Sequence, residues 1–171
     1  NYIENYIAGK TIIKPDTSNK QFPQAFRRYE SIGAVLLKGM EIDCSYFLDN
    51  WKFRATYRLQ LGNSQSLKES LPWMAPMELT TQIHWENDQT WAEIGSRFAA
   101  RQTNLSYTIF IEDQTPGFAV FDIRAGLSVG GGVVLLGGIE NIFDKYYWEY
   151  SSVGNLPSVG RNMYINVGIS F

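Results

Sequence analysis

The chain has 171 residues, of which 19% are charged and 15% aromatic, with a formal net charge of −2. No apolar run approaches the roughly 20 residues that a transmembrane helix needs. The single cysteine, Cys44, excludes an internal disulfide and a thiol metal cluster, and the slight negative charge argues against a nucleic-acid partner.

Alternation of apolar and polar side chains predicts β-strands in the first third of the chain. A weak pattern covers residues 2–9, and clear patterns follow at residues 40–48 and 51–61. A helix would scatter the charges of these segments around its circumference, so a strand is the better interpretation. Asp49 and Asn50 separate the two clear patterns and predict a tight hairpin turn.

The short turn fixes the register of this hairpin. A slip of one residue would mix the apolar and polar faces, whereas one register satisfies both. The predicted pairs are Leu48–Trp51, Tyr46–Phe53, Cys44–Ala55 and Ile42–Tyr57 on the apolar face, and Ser45–Arg54 and Glu41–Arg58 on the polar face. Glu41 and Arg58 are therefore expected to form an ion pair on the polar wall, and Glu78 with Arg97 is a second candidate.

Five further segments complete a predicted set of eight antiparallel strands. They are residues 77–85, 91–101, 118–129, 133–141 and 162–171. The last one alternates most regularly and finishes on the aromatic residue Phe171. The sequence therefore predicts an all-β, up-and-down antiparallel barrel that crosses a membrane with tilted strands.

The predicted connections alternate between short and long. The short ones are residues 49–50, 86–89 and 130–132, and the long ones are approximately residues 10–29, 62–76, 102–117 and 142–161. Short periplasmic turns and long extracellular loops are typical of an outer-membrane barrel, and this arrangement would place both chain ends in the periplasm. Trp51, Trp85 and Trp91 lie beside short turns, where an interfacial aromatic girdle is expected.

Several motifs carry a family resemblance. Residues 138–147, GIENIFDKYY, resemble the G-x-x-N-L-F-D-K-x-Y signature near the end of TonB-dependent outer-membrane receptors. Residues 160–164, GRNMY, are similar to their final P-G-R-x-x-Y strand. Further similar segments fall in the family's order at residues 37–42, 49–51, 72–76 and 115–118, so the resemblance covers nearly the whole chain.

The resemblance implies a place in a larger protein. These receptors have a barrel of about 22 strands with an amino-terminal plug, so residues 1–171 are expected to be a single carboxy-terminal barrel segment without the plug. The implied function is active uptake of a scarce nutrient, such as siderophore-bound iron, haem, cobalamin or another metal complex. No cofactor and no enzymatic activity are implied.

The resemblance also implies partners and a location, the outer membrane of a Gram-negative cell. The expected partners are the lipid bilayer, the remaining barrel strands and plug, TonB through that plug, the outer-membrane assembly machinery and a small-molecule nutrient. Tyr164 and Phe171 in the final strand resemble the signal that the assembly machinery reads. The alternative for Phe171 is a lipid-facing girdle residue.

Aromatic residues in the long loops are the candidate ligand contacts, because exposed rings can stack on a planar or macrocyclic ligand. These candidates are Trp73, Tyr107, Trp148 and Tyr150. For Tyr146 and Tyr147, the outer aromatic girdle is the favoured interpretation. The remaining chemistry-bearing residues favour structural roles: His84 as a wall residue, Met74 and Met77 as packing residues, and Cys44 as an inert thiol facing lipid.

Two other classes stay open. One is a free-standing small outer-membrane barrel with an adhesion or structural role. The other is a soluble β-barrel carrier, in which the apolar face would line a cavity. An enzyme is the least supported class, because no constellation of acid, base and nucleophile is visible.

Overall fold

The computed structural model describes residues 1–13, 25–110, 112–152 and 155–170. Within them it contains ten strands and no helix long and apolar enough to cross a membrane. The strands are β1 (Tyr2–Ile3), β2 (Ile7–Ile13), β3 (Ala25–Ser31), β4 (Val35–Leu48), β5 (Trp51–Ser64), β6 (Glu78–Glu86), β7 (Thr90–Ala99), β8 (Phe118–Gly130), β9 (Val133–Glu140) and β10 (Asn162–Ile169).

Eight of these strands form one antiparallel sheet in the order β1-β4-β5-β6-β7-β8-β9-β10, and β2 pairs with β3 in a separate hairpin. From β4 to β10, each strand lies beside its predecessor in the chain, which is an up-and-down meander. The predicted all-β antiparallel fold is confirmed.

The predicted β4–β5 register is confirmed, including Leu48 opposite Trp51 and Glu41 opposite Arg58. The turn places Asp49 at φ 48°, a left-handed conformation that Asp tolerates better than most residues. Both strands have 14 residues, more than the about 9–11 that cross a bilayer as a tilted strand. The ends of β4 and β5 near Val35 and Ser64 therefore extend past the membrane-crossing length, on the side of the long loops.

The prediction for the first third of the chain was wrong in one respect. Residues 2–9 are not one strand, because the chain breaks after β1 at Asn5 (φ 54°) and resumes as β2. The predicted long connection at residues 10–29 instead contains most of the β2–β3 hairpin, although residues 14–24 lie outside the described part. The Tyr6 amide donates to the Gly33 carbonyl, and the Tyr6 carbonyl accepts from the Ile32 amide. These two hydrogen bonds tie the base of the hairpin to the segment directly before β4.

The two faces of the sheet differ as the alternation predicts, and we call the apolar one the outer face and the polar one the inner face. Trp51 and Trp85 lie on the outer face with ring centroids 6.5 Å apart. Trp91 was wrongly assigned to the girdle. It pairs with Glu86 and shares the inner face with His84, on whose ring it stacks at 5.7 Å.

The inward direction of Trp91 follows from parity, because it is two residues from the inward-facing Glu93. A β-carbon on Gly126 would lie 2.3 Å from the Trp91 indole nitrogen, so this glycine makes room for the ring. The short turn beside Trp91 correctly predicted that this residue lies near the turn end of its strand. It did not predict whether the side chain points to the outer or the inner face.

The glycines between β8 and β9 are required by backbone conformation. Gly130, Gly131 and Gly132 have φ values of 82°, 60° and 77°, where other residues are strained. Gly132 is also crowded, because a β-carbon there would lie 2.0 Å from the Ser170 carbonyl oxygen. The Gly132 carbonyl accepts a hydrogen bond from the Ser170 amide at 2.8 Å, which joins this turn to the end of β10.

We expect Gly132→Ala to destabilise the protein by on the order of 1–3 kcal/mol, through backbone strain and the clash with Ser170. The measurement is the denaturant midpoint of the detergent-purified protein. Gly95→Ala is the matched control, since no atom lies within 4 Å of a β-carbon there and its φ is not positive. Equal midpoints for the two variants would contradict the prediction.

Candidate functional site

The inner face carries ion pairs between neighbouring strands. Arg58 donates from Nε and Nη2 to Glu41 Oε1 at 3.1 and 3.0 Å. Arg54 donates from Nε and Nη2 to Asp43 Oδ2 at 3.0 and 2.8 Å, and the Thr56 hydroxyl donates to the same oxygen. These side chains are well exposed on the concave wall, so each pair adds little stability and mainly gives the wall its polarity.

A second ion-pair group lies toward the short turns. Arg124 lies 3.8 Å from Glu93 and 3.4 Å from Glu140. His84 sits between two carboxylates, with Nε2 3.1 Å from Glu86 and Nδ1 3.3 Å from Glu93. The two nitrogens face different carboxylates, so these residues do not converge on one point. No metal-holding group occurs among the described residues.

Arg97 is the centre of a third group near the long loops. Its Nη1 lies 3.8 Å from Glu78 on the neighbouring strand, and its Nη2 bonds Glu149 from the last long loop. The guanidinium carbon lies 5.0 Å from the Phe118 ring centroid and 5.9 Å from that of Tyr147, within cation–π range. Phe118 and Tyr147 pack on each other at 4.2 Å, so Arg97 fixes this loop on the inner wall.

This packing corrects the interpretation of Tyr147 as an outer-girdle residue. Tyr147 joins a buried cluster with Ala99, Phe118 and Val120, all at inner-face positions. Tyr146, in contrast, is 69% exposed and makes an edge contact with Trp148 at 6.0 Å. The sequence carried a signal for this cluster, since Phe118 and Val120 interrupt the polar alternation of their strand.

Two of the cavities in the described part of the chain open on the inner face beside the last long loop. The first has a volume of about 670 Å³ and lies between the wall residues around Arg97, Gln82 and Asp122 and the loop residues Tyr147 and Ser158. The second, of about 650 Å³, brings together three predicted site residues, Glu41, Arg58 and Tyr150, with Glu78.

Tyr150 remains a neutral hydrogen-bonding group in this second cavity. Burial, followed by the negative charges of Glu78 and Glu149, raises the pKa of Tyr150 above its ordinary value. Its phenol therefore offers a donor to anything that enters the cavity at neutral pH.

The motif at residues 138–147 closes the base of the last long loop. The Asn141 side chain accepts from the Lys145 amide at 2.8 Å and donates to the Lys145 carbonyl at 2.9 Å. Asp144 Oδ1 accepts from the Arg161 amide at 2.8 Å, directly before β10. A β-carbon on Gly160 would lie 2.8 Å from that same oxygen, so the glycine permits the close approach.

The loops at residues 62–76 and 102–117 are joined by two carboxylates, which we call the carboxylate clasp. Glu69 accepts from the Ser106 hydroxyl and from the amides of the three following residues, at 3.1–3.3 Å. Glu112 accepts from the Trp73 amide at 2.7 Å and from the Ser106 amide at 2.9 Å. The Ser106–Glu112 bond lies within one loop, and the other bonds of the clasp join the two loops.

A small apolar core lies beneath the clasp. It consists of the buried residues Ala8, Ile32, Val35, Leu71 and Ile109, with Tyr6, Leu37, Leu67 and Met74 packed against it. Val35 and Leu37 share the parity of Glu41, so this core covers the inner face of the extended ends of β4 and β5. The loops at residues 62–76 and 102–117, together with the base of the β2–β3 hairpin, therefore fold inward over the wall. Met74 is a packing residue in this core.

The structure places the four loop candidates in two groups. Trp73 and Tyr107 lie on the two clasped loops, 37% and 61% exposed, and Trp73 packs on Phe110 at 4.8 Å. Trp148 and Tyr150 lie on the last long loop. The Trp148 indole nitrogen is buried and has no hydrogen-bond partner among the described residues.

Of the two candidate assembly-signal residues, the structure describes Tyr164, which lies near the start of β10. Tyr164 faces inward over Gly138, where a β-carbon would meet its hydroxyl oxygen at 2.6 Å. Phe171 lies outside the described residues. Cys44 is exposed on the outer face, opposite Ala55.

Comparison with known proteins bears on the fold. No model of a protein family matches the sequence. Among solved structures, the copper transporter OprC matches with a TM-score of 0.83 and 23% identity, over 99% of this chain and 27% of that one. The FrpB iron transporter from Neisseria meningitidis matches with a TM-score of 0.71 and 18% identity, over 99% and 28%.

A third match is a mutant of the ferric enterobactin receptor PfeA from Pseudomonas aeruginosa in complex with enterobactin, with a TM-score of 0.73 and 16% identity over 100% and 28%. The chain has the fold of a section of the barrel of TonB-dependent outer-membrane receptors, as the sequence resemblance predicts. It spans 27–28% of the length of these structures. The proteins matched are transporters and receptors, not enzymes.

We expect Glu69→Ala to loosen the carboxylate clasp, because four donors of residues 106–109 lose their acceptor. Hydrogen exchange of these amides in the purified protein should accelerate roughly tenfold or more. Asp113→Ala is the control, an exposed carboxylate on the same loop with no hydrogen bond in the described structure. Unchanged exchange in Glu69→Ala would refute the clasp.

Proposed function

We propose that this chain is the carboxy-terminal barrel segment of a TonB-dependent receptor that takes up a scarce nutrient across a Gram-negative outer membrane. The observation that carries the proposal is the fold match, which covers nearly all of this chain and little more than a quarter of each matched one. The missing part would supply the remaining strands and the plug.

The substrate class is a metal complex. The matched proteins are described as a copper transporter, an iron transporter and a ferric enterobactin receptor. In this chain the loops supply aromatic rings: Trp73 and Tyr107 are exposed on the clasped side, and Trp148 and Tyr150 are half-buried on the last long loop. Rings of this kind suit the organic shell of a chelated metal.

The two faces of the sheet and the loops have different roles in the proposed receptor. The apolar outer face meets lipid, while the polar inner face, with its exposed ion pairs, forms the wall around the plug. The ligand enters between the inward-folded loops, and TonB acts through the plug to let it pass. The short turns and both chain ends face the periplasm, and Tyr164 with Phe171 in the final strand serves recognition by the assembly machinery.

A free-standing small barrel with an adhesion role is the second candidate, and it is less supported because the matched proteins are transporters and receptors. The two candidates differ in one measurement. We expect deletion of the gene encoding this chain to abolish energised uptake of a metal complex, and loss of TonB to have the same effect.

The intact protein from its native membrane should then have a mass several times 19.5 kDa. Lost adhesion with unchanged uptake of every metal complex tested would reject the receptor and favour the free-standing barrel.

The proposed orientation gives a separate prediction. In a Cys44→Ser background, a cysteine at Ser66 or Ser151, both exposed in long loops, should react with a bulky impermeant maleimide on intact cells. A cysteine at Asp88, which is exposed in a short turn, should react only after the outer membrane is permeabilised. The reverse pattern would overturn the orientation.

A further inference from the structure

The last long loop is held against the inner wall midway between its two ends. We call residues 142–161 the strap, of which the structure describes all but 153 and 154. Its base is closed by Asn141 and by the bond between Asp144 and the Arg161 amide. Between these points, Glu149 on Arg97 and Tyr147 on Phe118 attach the strap to β7 and β8.

The contact at Arg97 divides between the two terminal nitrogens of the guanidinium. Glu78 on the adjacent strand faces Nη1 at 3.8 Å, while Nη2 is bonded by Glu149 of the strap. One positive charge therefore serves two carboxylates, and the wall carboxylate remains when the strap moves. Movement of the strap would therefore free only Nη2 for a new acceptor, because Glu78 would still face Nη1.

The position that Glu149 fills is suited to an anionic oxygen from outside the chain. A guanidinium binds planar oxyanions through directed N–H donors, and such bonds are stronger than those between neutral groups. The Phe118 ring lies 5.0 Å from the guanidinium and adds an apolar surface beside that oxygen. Exchange of one anion for another leaves the local charge unchanged, so the exchange avoids a buried unpaired charge.

Strap position and access to the inner face are linked by the larger cavity. Tyr147, Ser158 and Gly160 of the strap form one side of the 670 Å³ space, and Arg97 lies on the wall side. Movement of the middle of the strap would widen this space, while the Asp144 bond keeps the base in place.

We propose that Arg97 is an anion-recognition residue whose Nη2 is held by the chain's own Glu149, and that an anionic oxygen of the transported complex replaces Glu149 and releases the strap. This inference rests on the proposed uptake function. The class of group recognised is a carboxylate or phenolate oxygen on the organic shell of the metal.

The first test measures strap position without any ligand. Spin labels are placed at Ser151→Cys on the strap and Asp88→Cys on the opposite side, in full-length receptor lacking other reactive cysteines. Pulsed electron spin resonance should give a narrow distance distribution for otherwise wild-type protein and a broad or shifted one for Glu149→Gln. Arg101→Gln, which removes a neighbouring arginine bonded only to Gln114 in the described structure, should leave the distribution narrow.

The second test measures binding, with ferric citrate as the carboxylate probe and ferric enterobactin as the phenolate probe. Glu149→Gln should bind the recognised probe roughly tenfold more tightly, because the internal competitor is weakened. Arg97→Gln should bind it roughly tenfold more weakly, and adding the probe should no longer move the strap label. Arg101→Gln should match the wild type in both respects.

The outcomes separate this inference from the proposed function. Suppose that the receptor takes up a metal complex in a TonB-dependent way, but that Arg97→Gln binds the probe as tightly as the wild type. The proposed function then stands, and the proposed anion site is rejected. A narrow distribution in Glu149→Gln overturns the strap release. Failure of both probes to bind the wild type, while an uncharged complex such as cyanocobalamin is taken up, also overturns the anion recognition.

Discussion

The pairing of β4 with β5 is the constraint on which the rest of the structure depends. Fourteen consecutive pairs run from Leu48–Trp51 to Val35–Ser64 without a bulge. Because side chains alternate across a strand, this register decides the face of every residue in β5. The pairing of β5 with β6 then fixes the faces of β6 in the same way. The inner face of the whole sheet is thus defined by one short turn and propagated by backbone hydrogen bonds.

Charges lie in rows across the strands as a consequence of that register. One row runs Glu41, Arg58, Glu78 across three adjacent strands, with opposite signs side by side. Another runs Lys52, His84, Glu93, Arg124 across four. Exposed pairs of this kind are worth little individually, so the backbone pairing holds the wall together. The rows instead keep the inner face polar and nearly balanced in charge.

The sequence predicted those parts of the fold in which local chemistry and side-chain alternation agree. At Asp49 and Asn50, the turn residues and the alternation on both sides point to one register, and the structure has it. Trp91 shows where proximity misleads: it lies beside a turn, but the parity it shares with Glu93 directs it inward. The β2–β3 hairpin was missed because residues 2–9 contain only a weak pattern, and nothing in it marks the break at Asn5.

The candidate site was less predictable because its contacts connect distant parts of the chain. Glu69 meets residues some 37–40 positions away, and Arg97 meets Glu149 across 52 positions. No spacing rule relates such partners, since loop conformation decides them. Phe118 and Val120 were the available signals, as apolar residues at positions where alternation predicts polar ones, and Phe118 is the aromatic one. An aromatic residue on a polar face indicates that something covers it, and here that cover is Tyr147.

The loops are fastened in two different ways, and the difference has a functional consequence. The loops at residues 62–76 and 102–117 share an apolar core and a clasp whose donors are mostly backbone amides, so opening them would expose both. The middle of the strap is held by one partly exposed ion pair and by the Tyr147 ring, which packs on the buried Phe118 ring and beside Arg97. A contact of that size can be exchanged for an equivalent contact with a ligand, whereas the clasp and its core cannot. Under the proposed uptake function, movement that admits a ligand is therefore expected on the strap side, against a clasped side that stays in place.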